Sequence, residues 1–332
     1  GVINMNKLNK IGLSALAGSL MAMSAHAADV SLSGGASVGI FKDNEDQASG
    51  YFMNDNVNMT ISGETDSGLT VTTKLELDAG YTSTAPFDNR SISIASDSMG
   101  TLTFHGHGGD SVMSGWDDMT PNAYEEPWAL VDSDVTVTTT ANSEVSLING
   151  ISGDALWRWD SPDFNGVSVH ASYRQGVNAE NQSGQGNVSA YNDFGIQVSP
   201  EMVEGLTIGY AMGTVQEAAT IENDESTLWI TYASGPFTVG YQTSEVDGQT
   251  TTQDDESTGW GVSYAITDDF SVSYGQHEFD NGATTNDQEA SGFSVSYTSG
   301  GVTIAGAMNS VDNLGGGTED QEGYELSVAF AF

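Results

Sequence analysis

Carboxylates dominate the chemistry available to this chain, and many of them lie in one segment, residues 108–154. Carboxylates crowded in a narrow aqueous channel would stabilise passing cations and reject anions. The alternative is that they only solvate an exposed loop. The candidate residues are Asp110, Asp117, Asp118, Glu125, Glu126, Asp132 and Asp134. Which interpretation applies depends on the elements that position this segment.

Histidines offer a second kind of chemistry. On a β-strand the pair His105 and His107 would place both rings on one face, where they could bind a metal ion. No third ligand is evident, so the alternative for these two and for His170 is a polar lining. The acidic stretches 43–47 and 253–257 could hold Ca²⁺ through oxygen ligands, although neither has EF-hand spacing. No cofactor is required by these patterns.

Catalysis has little support in the sequence. The chain contains no cysteine, which excludes disulfides, thiol catalysis and Cys-based zinc sites. After residue 28 there is no Gly-x-Ser-x-Gly elbow, and no clear Ser-His-Asp grouping can be assigned. We therefore expect no enzyme, and a hydrolase that depends on His105 and His107 is the alternative from a different class.

The overall charge restricts the partners of the chain. It has 7 Lys and Arg against 46 Asp and Glu, a formal net charge of −39 at pH 7. So negative a field repels nucleic acid and attracts cations. Salt relieves the self-repulsion, because the screening length falls to about 3 Å near 1 M ionic strength. We therefore expect cations and small solutes as partners, no nucleic acid, and a marine or halophilic source.

The first part of the chain has the pattern of a signal peptide. After Met5, two lysines precede a short apolar run that ends before an A-x-A site at Ala25–Ala27. The run is short for a transmembrane helix, which needs about 20 apolar residues. We expect a signal peptide over residues 1–27, with 1–4 as an upstream remnant, and a mature chain that starts at Ala28 and leaves the cytoplasm.

From residue 28 onward, apolar and polar residues alternate with a period of two. This period is typical of β-strands with one apolar face, and no long segment has a helical period. On one such strand Leu75 would meet an apolar phase, while Lys74, Glu76 and Asp78 would meet water. Sixteen segments follow the pattern: 30–41, 56–63, 69–79, 90–96, 101–107, 155–161, 167–174, 193–199, 206–214, 226–233, 237–243, 259–265, 270–278, 291–298, 302–309 and 323–332.

The connections between these segments alternate in length. Short turns rich in Gly, Asp, Asn and Ser alternate with longer polar stretches, which a soluble β-sandwich would not require. A membrane barrel has this rhythm, with short periplasmic turns and long outer loops. We predict an all-β, up-and-down antiparallel transmembrane barrel of about 16 strands over residues 28–332, with a long third loop at 108–154. Residues 133–147 could instead form a hairpin and raise the count to eighteen.

The final strand carries the most specific pattern. Its apolar stripe includes Tyr324, Phe330 and Phe332, and this aromatic ending resembles the C-terminal signal that barrel-assembly machinery reads in outer-membrane porins of Gram-negative bacteria. The segments 62–80 and 155–174 also resemble the general porins of marine and photosynthetic proteobacteria. The resemblance implies a homotrimer in an outer membrane, among lipid and lipopolysaccharide, whose third loop folds into the barrel.

In that family an acidic loop faces a cluster of basic wall residues. Here alternation places Lys74, Arg158 and Arg174 on the inner face. Arg90 shares the parity of the outward Ile92, yet it starts its strand and could turn inward at the rim. Four bases cannot balance the acidic loop. We therefore predict a porin for passive diffusion of ions and small hydrophilic solutes, with cation preference. A substrate-specific channel is the first alternative, and a structural or adhesive barrel is the second.

Overall fold

The computed structural model of the protein describes residues 28–42, 49–78, 87–130, 150–176, 190–218, 221–248 and 254–332. The expected signal peptide, the candidate hairpin at 133–147, the acidic stretch 43–47, Asp132 and Asp134 lie outside the described residues. Within the described ranges, no helix is long and apolar enough to cross a membrane.

Sixteen antiparallel strands close into one barrel, in which neighbours in the chain pair and the last strand pairs with the first. The predicted all-β barrel of about 16 strands is confirmed. In chain order the strands are β1 (Asp29–Lys42), β2 (Gly50–Glu64), β3 (Thr70–Asp78), β4 (Asn89–Ser96), β5 (Gly100–His107), β6 (Leu156–Asp160), β7 (Val167–Arg174), β8 (Ala190–Val198), β9 (Leu206–Ala218), β10 (Ile221–Ser234), β11 (Phe237–Asp247), β12 (Asp255–Thr267), β13 (Phe270–Asn281), β14 (Gln288–Ser299), β15 (Val302–Asp312) and β16 (Gln321–Ala331).

Closure follows from the pairing of the two terminal strands. Gly34 N donates to Phe332 O at 2.8 Å, and Phe332 N donates to Gly34 O at 3.0 Å. From there the pairing continues to Lys42, which lies opposite Tyr324. An open edge in lipid would leave backbone polar groups without partners, so closure is what allows this sheet to cross a bilayer.

The two faces of the sheet differ as the alternation predicts. On β13, Tyr274 is exposed on the outer face, while the neighbouring Ser273 and Gly275 are buried on the inner face. On β10, Ile230 is exposed outside, and Thr227 is buried inside. Because lipid wets the outer face and water the lumen, the large apolar side chains lie outside the barrel.

The connections define two ends of the barrel, here called the turn end and the loop end. At the turn end, β2 and β3 are joined by a tight turn in which Leu69 N donates to Thr65 Oγ1 at 3.0 Å. Gly68 in this turn has φ 79°, which a residue without Cβ adopts at no steric cost. At the loop end, β9 and β10 extend beyond the predicted segments 206–214 and 226–233, so most of the connection between these segments is strand.

The long connection between β5 and β6 turns into the barrel. Its two ends form a short neck, in which Gly109 pairs with Gly153 and Asp110 pairs with Ser152. Beyond the neck, residues 111–130, here named the pore loop, follow the inner wall from β7 to β16.

Candidate functional site

The pore loop is held to the wall by side chains that accept its backbone N–H groups. An irregular loop has no ladder partners, so each buried N–H group needs an acceptor from elsewhere. The inner wall supplies these acceptors on several strands. The bonds run from Val112 N to Ser172 Oγ (3.0 Å), from Met113 N to Asp193 Oδ2 (2.9 Å), from Met119 N to Gln242 Oε1 (2.7 Å), from Ala123 N to Ser273 Oγ (2.8 Å) and from Tyr124 N to Ser294 Oγ (3.0 Å).

An apolar cluster anchors the first half of the loop. Val112 and Met113 are fully buried and pack with Trp116 against Trp229 of β10. The two indole rings meet edge to face, with centroids 5.5 Å apart. Gln242 fixes the same turn, because its Nε2 donates to Trp116 O at 2.6 Å. The first half of the loop is therefore both packed and hydrogen-bonded.

Glycines of the wall allow the second half of the loop to lie against the sheet. A Cβ placed on Gly240 would be 2.6 Å from Pro121 Cδ, and one on Gly292 would be 2.7 Å from Pro127 Cα. Both distances are shorter than real Cβ atoms tolerate. The loop can occupy this path only because these positions have no side chain.

Carboxylates gather along this second half. Asp118, Glu125 and Glu126 belong to the loop, and Glu325 on the inner face of β16 lies close enough to Glu125 to act on it electrostatically. The Asp118 carboxylate accepts hydrogen bonds from Thr120 N, Thr120 Oγ1 and Asn122 Nδ2, at 2.8, 2.6 and 2.8 Å. We name these four residues (Asp118, Glu125, Glu126, Glu325) the acidic cluster.

Two carboxylates of the acidic cluster, Asp118 and Glu125, have raised pKa values. Burial is the main cause that raises the pKa of Asp118 to about 6, and the charge of Glu126 adds to it. Burial also raises the pKa of Glu125 to about 7, helped by Glu126 and Glu325. The pKa of Asp117 is raised as well, again mainly by burial. Near neutral pH the loop is therefore only partly charged.

Tyr124 connects the loop to the final strand. Its hydroxyl donates to Glu325 Oε1 and accepts a hydrogen bond from Ser327 Oγ at 2.8 Å. Burial, followed by the hydrogen bond to Glu325, raises the pKa of Tyr124, so the phenol keeps its proton. Asn309 Nδ2 also donates to Glu126 O at 2.7 Å. The acidic cluster is therefore fastened to β15 and β16.

The inward arginines do not face the acidic cluster. Arg158 Nη1 donates to Ser111 O at 3.0 Å, and its Nε donates to Asp160 Oδ1 at 3.1 Å. Arg174 Nη1 donates to Ser152 O at 3.2 Å. Both side chains therefore hold the base of the third loop. Lys74 also lies on the inner side, opposite polar residues of β2 and β4.

The barrel is therefore closed, and its third loop, which is acidic, is inserted into the lumen. Residues 12–288 match the family profile described as Gram-negative porin. The chain belongs to the Gram-negative porin family. It is thus an outer-membrane channel protein, and the family resemblance stated from the sequence is confirmed. A search of curated proteins found no match.

Solved porin structures share the fold of this porin at low sequence identity. A porin refined at 1.8 Å is 16% identical with a TM-score of 0.68, and an anion-selective porin from Comamonas acidovorans is 14% identical with a TM-score of 0.65. In both comparisons 92% of this chain and 100% of the other chain are covered. OmpT of Vibrio cholerae, in its trimer form, is 10% identical with a TM-score of 0.67, covering 92% and 100%.

Arg90 does not join the inner wall of this porin, which corrects the expected inward turn. It is exposed on the same face as Ile92 and Ile94. Its side chain lies over Gly106 of β5, and its Nη2 donates to Gly106 O at 3.4 Å. β4 begins at Asn89, so Arg90 lies within the strand and keeps the outward parity of Ile92. A bulge between Arg90 and Ser91 shifts only the register with β5.

The three predicted inward histidines lie on the inner face but do not share ligands. His107 Nδ1 contacts Asp154 Oδ1 at the neck, and His170 Nδ1 lies 2.7 Å from Asp160 Oδ1. His105 lies beside Gly109. Across the part of the chain that is described, no three His, Asp or Glu side chains form a group that could hold a metal ion.

The remaining predicted site residues lie on β3 and at the end of the chain. Glu76 accepts hydrogen bonds from Asn56 Nδ2 and Asn89 Nδ2, both at 2.8 Å. Asp78 is the last residue of β3 and lies opposite Asn56. The predicted assembly-signal residues Tyr324, Phe330 and Phe332 are exposed on the final strand and at its end.

The acidic stretch at 253–257, a candidate for Ca²⁺, uses its carboxylates within the loops. Asp254 Oδ1 accepts from Gly248 N at 3.0 Å, and Asp255 Oδ1 accepts from Gly282 N at 3.2 Å. These bonds order the loop end between β11 and β14. The calcium role of this stretch stays a prediction.

Glu325 and the wall acceptors were missed from the sequence. Alternation on the final strand assigns Glu325 to the wet face, but nothing in the sequence brings it to Glu125. Ser172 and Asp193 likewise have inward parity on β7 and β8. Strand parity predicts that these side chains face the lumen, but it does not predict the path of the loop that they contact.

Proposed function

We propose that this porin is a general diffusion channel with preference for cations. The observation that carries the proposal is the acidic cluster, which lines the lumen along the inserted loop. The two inward arginines are engaged at the base of the loop, so they do not offset these carboxylates. Negative charge in a confined aqueous passage stabilises cations and repels anions.

The route of solutes follows from the position of the loop. Among the described residues, the pore loop covers the inner face from β7 to β16 and does not extend over the inner face of β1–β5, which would border the passage. Asn56, Glu76 and Asn89 form a hydrogen-bonded polar surface on this uncovered side. Small hydrophilic solutes would thus pass between a polar wall and an acidic loop, down their concentration gradients.

Reversal potential in a planar lipid bilayer tests cation preference. Across a gradient of dilute KCl the sign of the potential should correspond to K⁺ permeation, and the preference should shrink in concentrated salt. The double variant Glu125→Gln/Glu126→Gln should reduce the preference. Glu289→Gln, on the exposed outer face, is the matched control and should not. Anion preference of the unmodified protein would refute the proposal.

The same recordings separate general diffusion from a substrate-specific channel. General diffusion predicts a conductance that rises in proportion to salt activity and is not blocked by one sugar or amino acid. Saturation or block by a single solute would favour the specific channel. Absence of conductance in a correctly folded sample would favour a structural barrel.

We also propose a homotrimer whose subunits meet through the outer face of β1–β5. The exposed large apolar side chains on these five strands are aliphatic or Met, with the exception of Tyr51. The other strands carry exposed aromatic residues towards both ends, such as Tyr241, Trp260 and Phe237. Aromatic girdles mark surfaces in contact with lipid, so the face that lacks them suits contact with protein.

Spin labels on single cysteines test this interface, because the chain has no native cysteine. Met53 on β2 is 69% exposed, and Met212 on β9 is 52% exposed. A label at Met53→Cys should be shielded from oxygen dissolved in lipid, whereas a label at Met212→Cys should be accessible. Equal accessibility, or a monomeric mass in mild detergent, would contradict the trimer.

A further inference from the structure

A serine, a histidine and an aspartate meet on the inner face of β6 and β7, nearer the turn end than the pore loop. Ser168 Oγ lies 2.9 Å from His170 Nε2, and His170 Nδ1 lies 2.7 Å from Asp160 Oδ1. A spacing of two residues puts Ser168 and His170 on one face of β7. The strand register sets Asp160 directly opposite His170.

The hydrogen bonds determine which nitrogen carries the proton. An ionised carboxylate only accepts, so Nδ1 of His170 donates to Asp160. In the neutral ring Nε2 is then an acceptor, and it receives the hydroxyl proton of Ser168. This is the tautomer in which an imidazole can remove a proton from a serine nucleophile.

Neighbouring side chains hold this arrangement in place. The Trp116 ring of the pore loop meets the His170 ring edge to face, with centroids 5.4 Å apart. The His170 side chain is 14% exposed. Arg158 Nε donates to Asp160 Oδ1 at 3.1 Å, which fixes the carboxylate. The imidazole is therefore oriented by contacts on two sides.

An amide side chain lies beside the serine. Gln197 of β8 is paired directly opposite Ser168, and both belong to the inner face. Residues paired in this way have Cβ atoms about 4.5–5.5 Å apart. The Gln197 side chain is long enough to place an N–H donor near an oxygen that develops charge on a carbonyl attached to Ser168.

We propose that Ser168 and His170, oriented by Asp160, form a nucleophilic centre that transfers acyl groups from small esters to water. Ser168 and His170 are the catalytic residues, and Asp160 is a positioning residue. The substrate class is a neutral or cationic acyl ester small enough to enter the lumen from the turn end. The centre is separate from the acidic cluster and does not depend on its role in permeation.

The reaction balances with water as the only co-reactant. Ser168 Oγ adds to the ester carbonyl carbon while its proton passes to His170 Nε2. The C–O bond to the alcohol then breaks, and the alcohol takes that proton. Water, deprotonated by the same nitrogen, attacks the acyl-serine, and the carboxylic acid leaves as the Ser168 hydroxyl regains its proton.

Labelling with a fluorophosphonate tests the nucleophile on the full, folded chain in detergent. In this reaction an O–P bond forms at the serine, the P–F bond breaks and fluoride leaves. Peptide mass analysis should locate the adduct on Ser168. His170→Ala should slow labelling by about 100-fold or more, the usual contribution of a general base. Ser93→Ala, on the inner face of β4, is the matched control and should label at the normal rate.

Hydrolysis of p-nitrophenyl acetate supplies an independent readout. His170→Ala should lose the hydrolysis above the uncatalysed background, because no general base then accepts the serine proton. Ser168→Ala should lose the same activity while retaining the single-channel conductance of the unmodified protein. Asp160→Asn should slow both reactions by lowering kcat, with KM and single-channel conductance unchanged, which a merely structural role would not do.

Three outcomes would overturn the proposal. Ser168 could stay unlabelled in a sample whose conductance shows a folded channel. The labelling rate of Ser168 could be the same in the unmodified protein and in His170→Ala. If His170→Ala does not fold, His170→Gln replaces it in this comparison. Other inner-face serines could react at the same rate as Ser168. Any of these results would mean that the contacts among Ser168, His170 and Asp160 only stabilise the barrel wall.

Discussion

The barrel wall and the pore loop meet the same requirement by different means. Both must pair backbone polar groups away from bulk water. The wall does so through a continuous ladder in which every strand has two neighbours. The loop relies on individual wall side chains such as Ser172 and Gln242. The comparison indicates that the wall tolerates single substitutions, whereas the loop depends on particular residues.

The largest expected effect comes from adding one methyl group beneath the loop. Gly292→Ala places a Cβ 2.7 Å from Pro127 Cα, a backbone atom that cannot rotate away. Overpacking of this kind costs about 1–3 kcal/mol, so the second half of the loop should leave the wall. Single-channel conductance should rise and cation preference should fall.

A matched glycine separates this effect from a general intolerance of the strand. At Gly259, also on the inner face, the nearest atom to an added Cβ would be 3.6 Å away, on Thr120. Gly259→Ala should therefore leave conductance and selectivity unchanged. Equal conductance of both variants would show that the loop does not need the glycine path.

Acidification should weaken selectivity before it affects the wall. As pH falls from 8 to 5, Glu125 with a pKa of about 7 and Asp118 with a pKa of about 6 lose their charges. Cation preference measured by reversal potential should decline through this range. Glu125→Gln should remove the upper part of the decline, and a pH-independent preference would contradict the assignment.

Low pH should raise the contribution of Glu125 to the free energy of unfolding, whereas it should weaken cation preference. Because the pKa of Glu125 is raised from 4.5 to about 7 in the folded protein, the folded state holds more protons than the unfolded state between these values. The contribution of this group to the free energy of unfolding is therefore present at low pH and is lost as pH rises towards 7. Denaturant midpoints of the unmodified protein and of Glu125→Gln should converge at low pH.

Removal of one hydroxyl should loosen the loop locally. Tyr124→Phe deletes the hydrogen bond to Glu325, and bonds to charged groups contribute about 1.5–3 kcal/mol. Amide hydrogen exchange of residues 119–126 should accelerate about tenfold or more. Tyr274→Phe, on the outer face of β13, should leave exchange in this segment unchanged.

The smallest effect on conductance and stability is expected from a substitution in the barrel wall. Ile230→Val removes one methylene from an exposed outer side chain of β10 and leaves the ladder intact. Substitutions of this kind usually change stability by less than about 0.5 kcal/mol. Conductance, selectivity and thermal midpoint should match the unmodified protein, and a large loss would contradict the assumed tolerance of the wall.

The sequence was sufficient for the wall because strand parity is a local property. The sixteen predicted segments correspond to the sixteen strands, and Lys74, Arg158 and Arg174 lie on the predicted face. For Arg90 parity indicates the outer face, where the residue lies, and the expected inward turn is wrong because the strand begins one residue earlier, at Asn89. Parity indicates which side of a sheet a residue faces, but not what it contacts there.

The sequence could not supply the contacts of the loop. The bond between Tyr124 and Glu325 joins residues 201 positions apart. The approach of Asp160 to His170 depends on the register of two strands. The carbonyl of Ser111 that Arg158 binds belongs to the irregular pore loop, whose path is set by the whole barrel. Such contacts arise only once the sheet has closed, and no periodic pattern in the sequence indicates them.

The one-sided attachment of the pore loop gives the passage two borders of unequal stiffness. The border on β1–β5 is part of the closed sheet, whereas the other border is held by separate contacts that can break one at a time. Heating should therefore widen the aperture and raise its leak well below the temperature at which the cylinder itself comes apart. A recording of channel current against temperature should show two transitions, whereas circular dichroism should show one.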